Sequence, residues 1–343
     1  MTFPEHLPVS RRPMPDEVPS LGWGIMGTGW IADKFCAALR DSTTQRISAV
    51  VSRSQSRADA FATAVGAERA HGDVEQMLAD PTVDVVYIAT PHPNHRDDAL
   101  RVIAAGKHVL IEKPMGINAQ QAREVAAAAR EAGVFCAEAL WTLFLPKFDV
   151  VRQLVQAGVL GEIIAIQADQ GEWFDDGHRI LDPELAGGAM LDLGTYPVMF
   201  ATWLLGQPDE VQAVGTRADS GVMGTVTMSL HYPTLAQASL QTSLLGELPN
   251  VGMISGTKAM LQFDRKFYQP GSFTLLDRAT GRALRYEEKA IEHAGLFHEA
   301  LEVARCISEG RTETPLRPLG DTISYLDVMD DVRDRIGDRF LME

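Results

Sequence analysis

From Leu21 onward the chain alternates short, almost wholly apolar runs with stretches whose apolar residues recur at helical spacing. LGWGIM, ISAVVS, VDVVYIAT, KHVLIE and VFCAEA read as strands. Trp30 to Arg40, the Ala-rich stretch through AFATAV, His95 to Ala105, and Ala119 to Ala132 with Gly133 behind it read as helices. Strands that are apolar on both faces and alternate with amphipathic helices predict a parallel sheet covered on both sides. After about Ala139 the pattern changes. A helix near Phe148 to Ala157 leads into the alternating strand GEIIAIQADQG, and another helix follows near Ala189 to Leu205. TVTMSLHY, AQASLQTSLL and KAMLQF then arrive in succession with turns between them, which predicts a mostly antiparallel sheet. Two amphipathic helices, GLFHEALEVARCISEG and DTISYLDVMDDVRDRIG, finish the chain.

The opening residues carry Pro4, Pro8, Pro13, Pro15 and Pro19 without any period, and predict an extended arm, laid on the surface or disordered. The expected organisation is therefore α/β: an arm over 1–20, a dinucleotide-type α/β domain over 21–140, and an α+β domain over 141–343 whose last helix is free to pack back on the first domain. A length of 343 residues suits two domains. Lys and Arg number 31 against 46 for Asp and Glu, a net charge of -15 that disfavours nucleic acid and anionic membrane surfaces as partners. No run approaches the roughly 18–20 apolar residues that span a bilayer. The first residues lack the apolar segment of a secretory signal. Cys36, Cys136 and Cys306 are scattered, odd in number and without CxxC spacing, which predicts free thiols in a reducing, cytoplasmic setting.

Chemistry concentrates in a few segments. GIMGTGWIA places Gly27-x-Gly29-x-x-Ala32 between the first strand and the first helix. Gly27 permits the turn, Gly29 lets a pyrophosphate approach the backbone, and the helix start at Trp30 and Ile31 offers its N–H groups to the anion, with Thr28 in the loop. The loop by itself leaves an S-adenosylmethionine site open. An NAD-selective site has an acid at the end of the second strand, whereas here Ser52, Arg53 and Ser54 stand there. Arg53 suits a ribose 2′-phosphate, so NADP is the expected cofactor, with NAD as the alternative. Glu112-Lys113-Pro114 lies at the carboxyl end of a strand, the edge where open α/β sheets bind ligands, and Pro114 is compatible with a cis bond. Asp192 and Tyr196 stand four apart, so a helix presents both on one face. A lysine ammonium beside a phenol favours the phenolate and forms a proton relay for alcohol oxidation, with Asp192 orienting it.

His92 and His95 in TPHPNH lack a third ligand and read as lining a loop at the sheet edge rather than as a metal pair; no metal is expected. Trp141, Phe144 and Phe174 are candidate walls of a substrate pocket, with His178 and Arg179 as weaker candidates for substrate contact. The absence of GxSxG, GxxxxGK[ST] and HExxH removes support for serine hydrolase, P-loop NTPase and zincin readings.

The ordered set GIMGTGWIA, TPHPNH, EKP, AEALWTLFLP, DPELAGGAMLDLGTYP and VARCISEG resembles the Gfo/Idh/MocA oxidoreductase family. Within it, the motifs are nearest to the branch of dimeric dihydrodiol dehydrogenases and NADP-dependent D-xylose dehydrogenases. The resemblance runs from about Leu21 to the last helix. It implies a Rossmann domain followed by a domain with an open-faced, mostly antiparallel sheet, and a homodimer or homotetramer formed through that sheet. It also implies Lys113 in catalysis and nicotinamide contact, Tyr196 as proton donor or acceptor, Asp192 as its acidic companion, and Ser52 and Arg53 at the ribose phosphate. Thr90, Pro91, His92, Asn94, His95 and Glu112 complete the expected cofactor contacts. Leu143 departs from the basic residue of WTRF-like relatives, so no cationic substrate contact is expected there. The activity implied is hydride transfer between nicotinamide and a hydroxyl-bearing carbon of a sugar, cyclitol or dihydrodiol. Two other readings stay open: an NAD(P)-binding sensor without turnover, and a redox-neutral lyase or glycosidase that uses NAD internally.

Overall fold

A computed structural model describes residues 3–342. In chain order the first elements are β1 (Gly22–Met26), α1 (Trp30–Ser42), β2 (Arg46–Val51), α2 (Gln55–Val65), β3 (Arg69–His71), α3 (Val74–Leu78), β4 (Val85–Ile88), α4 (His95–Ala104), β5 (His108–Glu112), α5 (Ala119–Ala132) and β6 (Cys136–Ala139). There follow α6 (Pro146–Gln156), β7 (Ile163–Gly171), a π-helical turn over Met190–Gly194, α7 (Thr195–Leu205), β8 (Glu210–Arg217), β9 (Met223–His231), β10 (Gln237–Ser243), β11 (Gly252–Gly256), β12 (Ala259–Phe263), β13 (Phe273–Asp277), β14 (Ala283–Tyr286), α8 (Phe297–Ser308) and α9 (Leu319–Arg335).

Two compact units form, each from more than one stretch of chain. One comprises Arg12–Leu145 with Glu292–Thr322. The other comprises residues 3–11, Pro146–Ile291 and the C-terminal stretch from Ile323.

The first unit holds a six-stranded sheet in the order β3-β2-β1-β4-β5-β6, parallel throughout. This is the Rossmann order, and β1, β4 and β5 are buried along nearly their whole length, as their apolar runs require. Trp23 of β1, Phe35 of α1 and Tyr87 of β4 pack in series, with Phe35 stacked on Tyr87 at 3.9 Å between centroids. The helices end where their caps dictate. Ser54 and Asn118 accept backbone N–H groups at the starts of α2 and α5, and Gly66 and Gly133 take left-handed conformations at their ends. The arm residues of this unit are ordered: Val18 packs on Leu301 and Ala304 of α8, and Arg12 donates to the Leu143 carbonyl at 2.7 Å. Cys36, Cys136 and Cys306 are free and buried.

The second unit is built on an eight-stranded sheet ordered β14-β13-β12-β11-β7-β10-β9-β8, antiparallel except for the β7–β10 pair. Register carries one buried row across it: Val211, Leu230, Ala238, Ile166, Ile254, Leu261 and Leu275. The neighbouring row on the opposite face is Gln212, Ser229, Ser239, Gln167, Met253, Gln262 and Thr274, none of them buried. α7, apolar all round its circumference, packs with the π turn on β7 and β10. Phe148 of α6 stacks on Phe263 and packs edge-on to Phe200. In the arm, Arg11 binds Asp149 at the start of α6 through its backbone N–H at 2.7 Å and its guanidinium at 3.0 Å. Among the described residues no helix is long and apolar enough to cross a membrane.

Candidate active site

The loop after β1 contains two glycines with different reasons to be there. Gly27 has φ of +108°, and a Cβ on it would lie 2.6 Å from the Ala89 carbonyl oxygen, so the fold itself demands glycine. Gly29 has ordinary φ of -87° and a Cβ there would meet nothing within 4 Å. The fold does not require that glycine, and the open space leaves room for a ligand to approach the backbone. Gly29 is also the N-cap of α1 and caps it with no side chain, which leaves the helix start to an anion. These residues fit the pyrophosphate of a dinucleotide. Thr28 and Ile31 are partly exposed, and Trp30 is 60 % exposed with its ring edge-on to His293.

At the end of β2, Ser52 is partly exposed and Arg53 is exposed, with no ion pair among the described residues. Ser54 is committed as the N-cap of α2, accepting from Arg57 N–H at 3.3 Å. No carboxylate follows β2, so the local residues fit a 2′-phosphate at least as well as a free ribose.

At the ends of β4 and β5 the expected residues come together. Thr90 donates to Asp98 at 2.8 Å. His95 is completely buried, with Nε2 at 2.7 Å from the Thr90 carbonyl oxygen and Nδ1 at 2.7 Å from that of Pro114. It thereby ties the TPHPNH loop to the segment after Lys113. Buried His92 packs edge-on to His95 at 5.6 Å, while Pro91 and Asn94 are exposed on the same loop. The Lys113–Pro114 peptide is cis. Lys113 is partly exposed. Glu112 is turned inward instead, accepting the Tyr87 hydroxyl and the Lys113 N–H. Burial is the main force pushing its carboxyl up, to about 7, against the opposing pull of the Tyr87 hydrogen bond and the Lys113 charge.

One buried pair here was not anticipated from the chain. Glu138 at the end of β6 is fully buried; its Oε2 accepts Arg317 Nε at 2.8 Å and its Oε1 accepts Met115 N–H at 2.9 Å. It anchors the residue just past Pro114. A buried carboxylate in a strand end and a buried arginine far along the chain offer no local pattern that links them. A second unanticipated feature is an aromatic stack: His293 lies parallel to Trp141 at 5.5 Å and meets Trp30 at 4.6 Å. Trp141 is nearly buried and Phe144 entirely so, which makes Phe144 part of the core.

In the second unit, Asp192 sits in the π turn and Tyr196 in the first turn of α7, both almost buried. Such turns, which insert an extra residue into a helix, concentrate at functional sites. A Cβ on Gly187 would lie 2.5 Å from the Ile180 carbonyl oxygen, so glycine closes the loop that leads into this turn. Arg179 embraces Asp192 with Nη2 at 2.8 Å and Nη1 at 3.4 Å, so its partner is the carboxylate. Tyr196 lies against Tyr268 with ring centroids 4.6 Å apart, and Tyr268 donates to Glu172 at 2.7 Å. Phe174 packs on a small cluster that includes Ile180, Leu193 and Leu244, tilted against exposed His178. His178 accepts the Ile180 N–H at 3.3 Å.

Comparison with known proteins follows this geometry. Residues 21–140 match the model of the GFO_IDH_MocA oxidoreductase family, NAD-binding Rossmann fold, and residues 148–262 match the C-terminal domain of the same family. The chain is 35% identical over 333 residues to a trans-1,2-dihydrobenzene-1,2-diol dehydrogenase of Bos taurus, covering 94% of this chain and 98% of that one. It belongs to the Gfo/Idh/MocA family. The Homo sapiens dehydrogenase of the same name is also 35% identical, over 328 residues and the same shares of both chains. Among solved structures, KijD10, a 3-ketoreductase from Actinomadura kijaniata in complex with NADP and TDP-benzene, superposes with a TM-score of 0.79 at 26% identity, covering 93% of this chain and 98% of that one. A levoglucosan dehydrogenase in complex with NADH and levoglucosan shares the fold, with a TM-score of 0.84, 17% identity and the same coverage. This chain is thus a Gfo/Idh/MocA oxidoreductase with a nucleotide-binding Rossmann unit.

Proposed function

We propose that this Gfo/Idh/MocA chain is an NADP-dependent dehydrogenase acting on a CH–OH group of a small diol or sugar. The observation that carries the proposal is the phosphate loop, where Gly29 is dispensable to the fold, in the same unit as an EKP segment held by buried side chains. The 35% identity to dihydrodiol dehydrogenases across nearly the whole chain favours a diol, and the ketoreductase and levoglucosan dehydrogenase likenesses keep sugars within the class.

When bound, the nicotinamide supplies the site that gives or takes hydride. The chain's own residues deal with the proton. Tyr196 accepts the substrate hydroxyl proton in oxidation and returns it in reduction. The Lys113 ammonium orients the reacting oxygen of the substrate. Asp192, held by both Nη atoms of Arg179, keeps its carboxylate oriented one turn before Tyr196. Trp141, Phe174, His178 and Arg179 shape the substrate side. Ser52 and Arg53 hold the 2′-phosphate. The uncovered face of the eight-stranded sheet, with Val214 75% exposed and Leu276 36% exposed, is assigned to a homodimer.

The test is titration of the protein with NADPH and NADH by fluorescence, followed by oxidation of trans-dihydrodiols, aldoses and polyols with NADP. Lys113→Ala and Tyr196→Phe are expected to lower kcat by ~10²–10⁴-fold, the usual worth of a positioned acid or base, with NADPH affinity largely kept. Near wild-type turnover in either variant removes that residue from the relay. Binding without turnover across the panel replaces the proposal with a sensor. NAD retained through purification with redox-neutral turnover replaces it with a lyase or glycosidase.

A further inference from the structure

Trp30 and Trp173 are the two tryptophans that stand mostly in solvent. Trp173 makes no ring contact among the described residues. Trp30, 60 % exposed, is held differently. It is the first residue of α1 and directly follows Gly29, where a ligand has room to approach the backbone. Its indole meets the His293 ring edge to face at 4.6 Å. On its other side His293 lies flat against Trp141, at 5.5 Å with 12° between the planes. Trp141 is only 4 % exposed and opens the single turn that follows β6. The three rings therefore form a ladder rooted in the core, and all of it belongs to the first unit. It starts at the loop after β1 and ends at the loop after β6, so it runs along the carboxyl edge of the sheet on the side of β4, β5 and the EKP segment.

The segment that supplies the middle ring is itself constrained. Glu292, immediately before His293, has φ of +44°, a left-handed conformation uncommon for a residue with a Cβ. The turn Glu292–Leu296 packs on α1, with Gly295 and Leu296 buried. Backbone in such a region persists where its surroundings fix it, and such positions gather at ligand clamps and active sites.

We propose that Trp30 is a wall for the nicotinamide half of the bound dinucleotide, and that His293 is the positioning residue that fixes this wall. The inference rests on the reading of the glycine loop and the EKP segment as the cofactor site. An unbraced indole at the start of a helix samples several rotamers and has to be ordered as the ligand binds. Braced on His293, it is ordered beforehand, and that cost no longer subtracts from affinity. The ladder lies on the other side of β1 from β2, where Ser52 and Arg53 stand, so it serves NADPH and NADH alike.

The test reads binding rather than turnover. NADPH and NADH are titrated by their own fluorescence and by energy transfer from tryptophan to the reduced nicotinamide, with stability followed by urea unfolding. Trp30→Ala is expected to weaken both cofactors by the same factor, ~5- to 30-fold, and to lower the transfer. His293→Ala is expected to weaken them ~3- to 10-fold, and His293→Phe, which keeps a ring, to restore them. If His293→Ala does not fold, His293→Gln takes its place. A residue that acts through Trp30 loses its effect once that indole is gone, which a merely structural role does not predict. The double variant Trp30→Ala with His293→Ala is thus expected to bind no more weakly than Trp30→Ala alone. Full additivity of the two losses overturns the positioning role. Unchanged affinity and transfer in Trp30→Ala overturns the wall and leaves the cofactor reading in place, because the protein still binds. A wild-type protein that binds neither NADPH nor NADH overturns that reading, and this inference with it.

Discussion

Exchanging Arg317 for methionine probes the anchor beneath the EKP segment. Arg317 and Glu138 are 2 % and 0 % exposed, with Nε and Nη2 at 2.8 and 2.7 Å from one carboxylate oxygen. Arg317→Met leaves that carboxylate buried without its counter-charge, and with Glu112 as a like-charged neighbour. Breaking a buried pair from one side costs about 3–5 kcal/mol. Glu138→Gln strands the guanidinium instead, and the expected loss is of the same order. The double change Glu138→Leu with Arg317→Met removes both desolvation penalties, while the Met115 N–H and the buried Thr322 hydroxyl lose Glu138, which accepts them now at 2.9 and 3.4 Å. A lost buried hydrogen bond of that kind costs about 1–3 kcal/mol. The double variant is therefore expected to be more stable than either single one, with a coupling energy of at least ~3 kcal/mol. Urea unfolding followed by tryptophan fluorescence and circular dichroism measures all four proteins. Single changes costing under ~1 kcal/mol, or a double variant as damaged as the two singles combined, would refute the reasoning that the pair is dry and mutually dependent.

Arg53→Glu is expected to weaken NADPH by about 1.5–3 kcal/mol, ~10- to 100-fold in Kd, with little effect on NADH; an unchanged NADPH-to-NADH ratio in fluorescence titration would dismiss the 2′-phosphate contact. Lys147 is buried at the start of α6 near the rings of Phe148 and Phe263, and burial lowers its ammonium to about 7. The unfolded chain binds that proton up to the ordinary value of 10.5. Wild-type stability should thus rise relative to Lys147→Met between pH 7 and 10, and a constant difference in denaturation midpoints would contradict this. If the proposed homodimer forms through the uncovered sheet face, Val214→Lys places a charge in it and is expected to shift sedimentation from dimer to monomer; a monomeric wild type, or an unaltered dimer, would overturn that interface.

The strands of the first unit could be read directly because β1, β4 and β5 are buried on both faces, which leaves no room for polar residues. Two short elements escaped. β3 is a three-residue edge strand, Arg-Ala-His, and α3 spans a single turn, so neither has length enough to show a period. In the second unit β8 was missed because only Val211 of its eight residues is buried. The EKP segment and the glycine loop were visible since their chemistry is local. Glu299 was not: a glutamate in an amphipathic helix ordinarily faces water, and only its spacing from Leu296 and Val303 places it on the buried stripe. Arg317 and His293 find their partners through tertiary contact alone, about 180 and 150 positions from Glu138 and Trp141.

The interleaved construction of the first unit bears on where the chain can be cut. A fragment stopped after β6 would contain every strand of the parallel sheet. It would nevertheless expose the surface on which α8 rests, leave Glu138 without its guanidinium, and leave Val18 without Leu301 and Ala304. An autonomous nucleotide-binding fragment therefore has to graft the stretch 292–322 onto residues 12–145, so that this unit is completed only after the strands of its partner unit have been made.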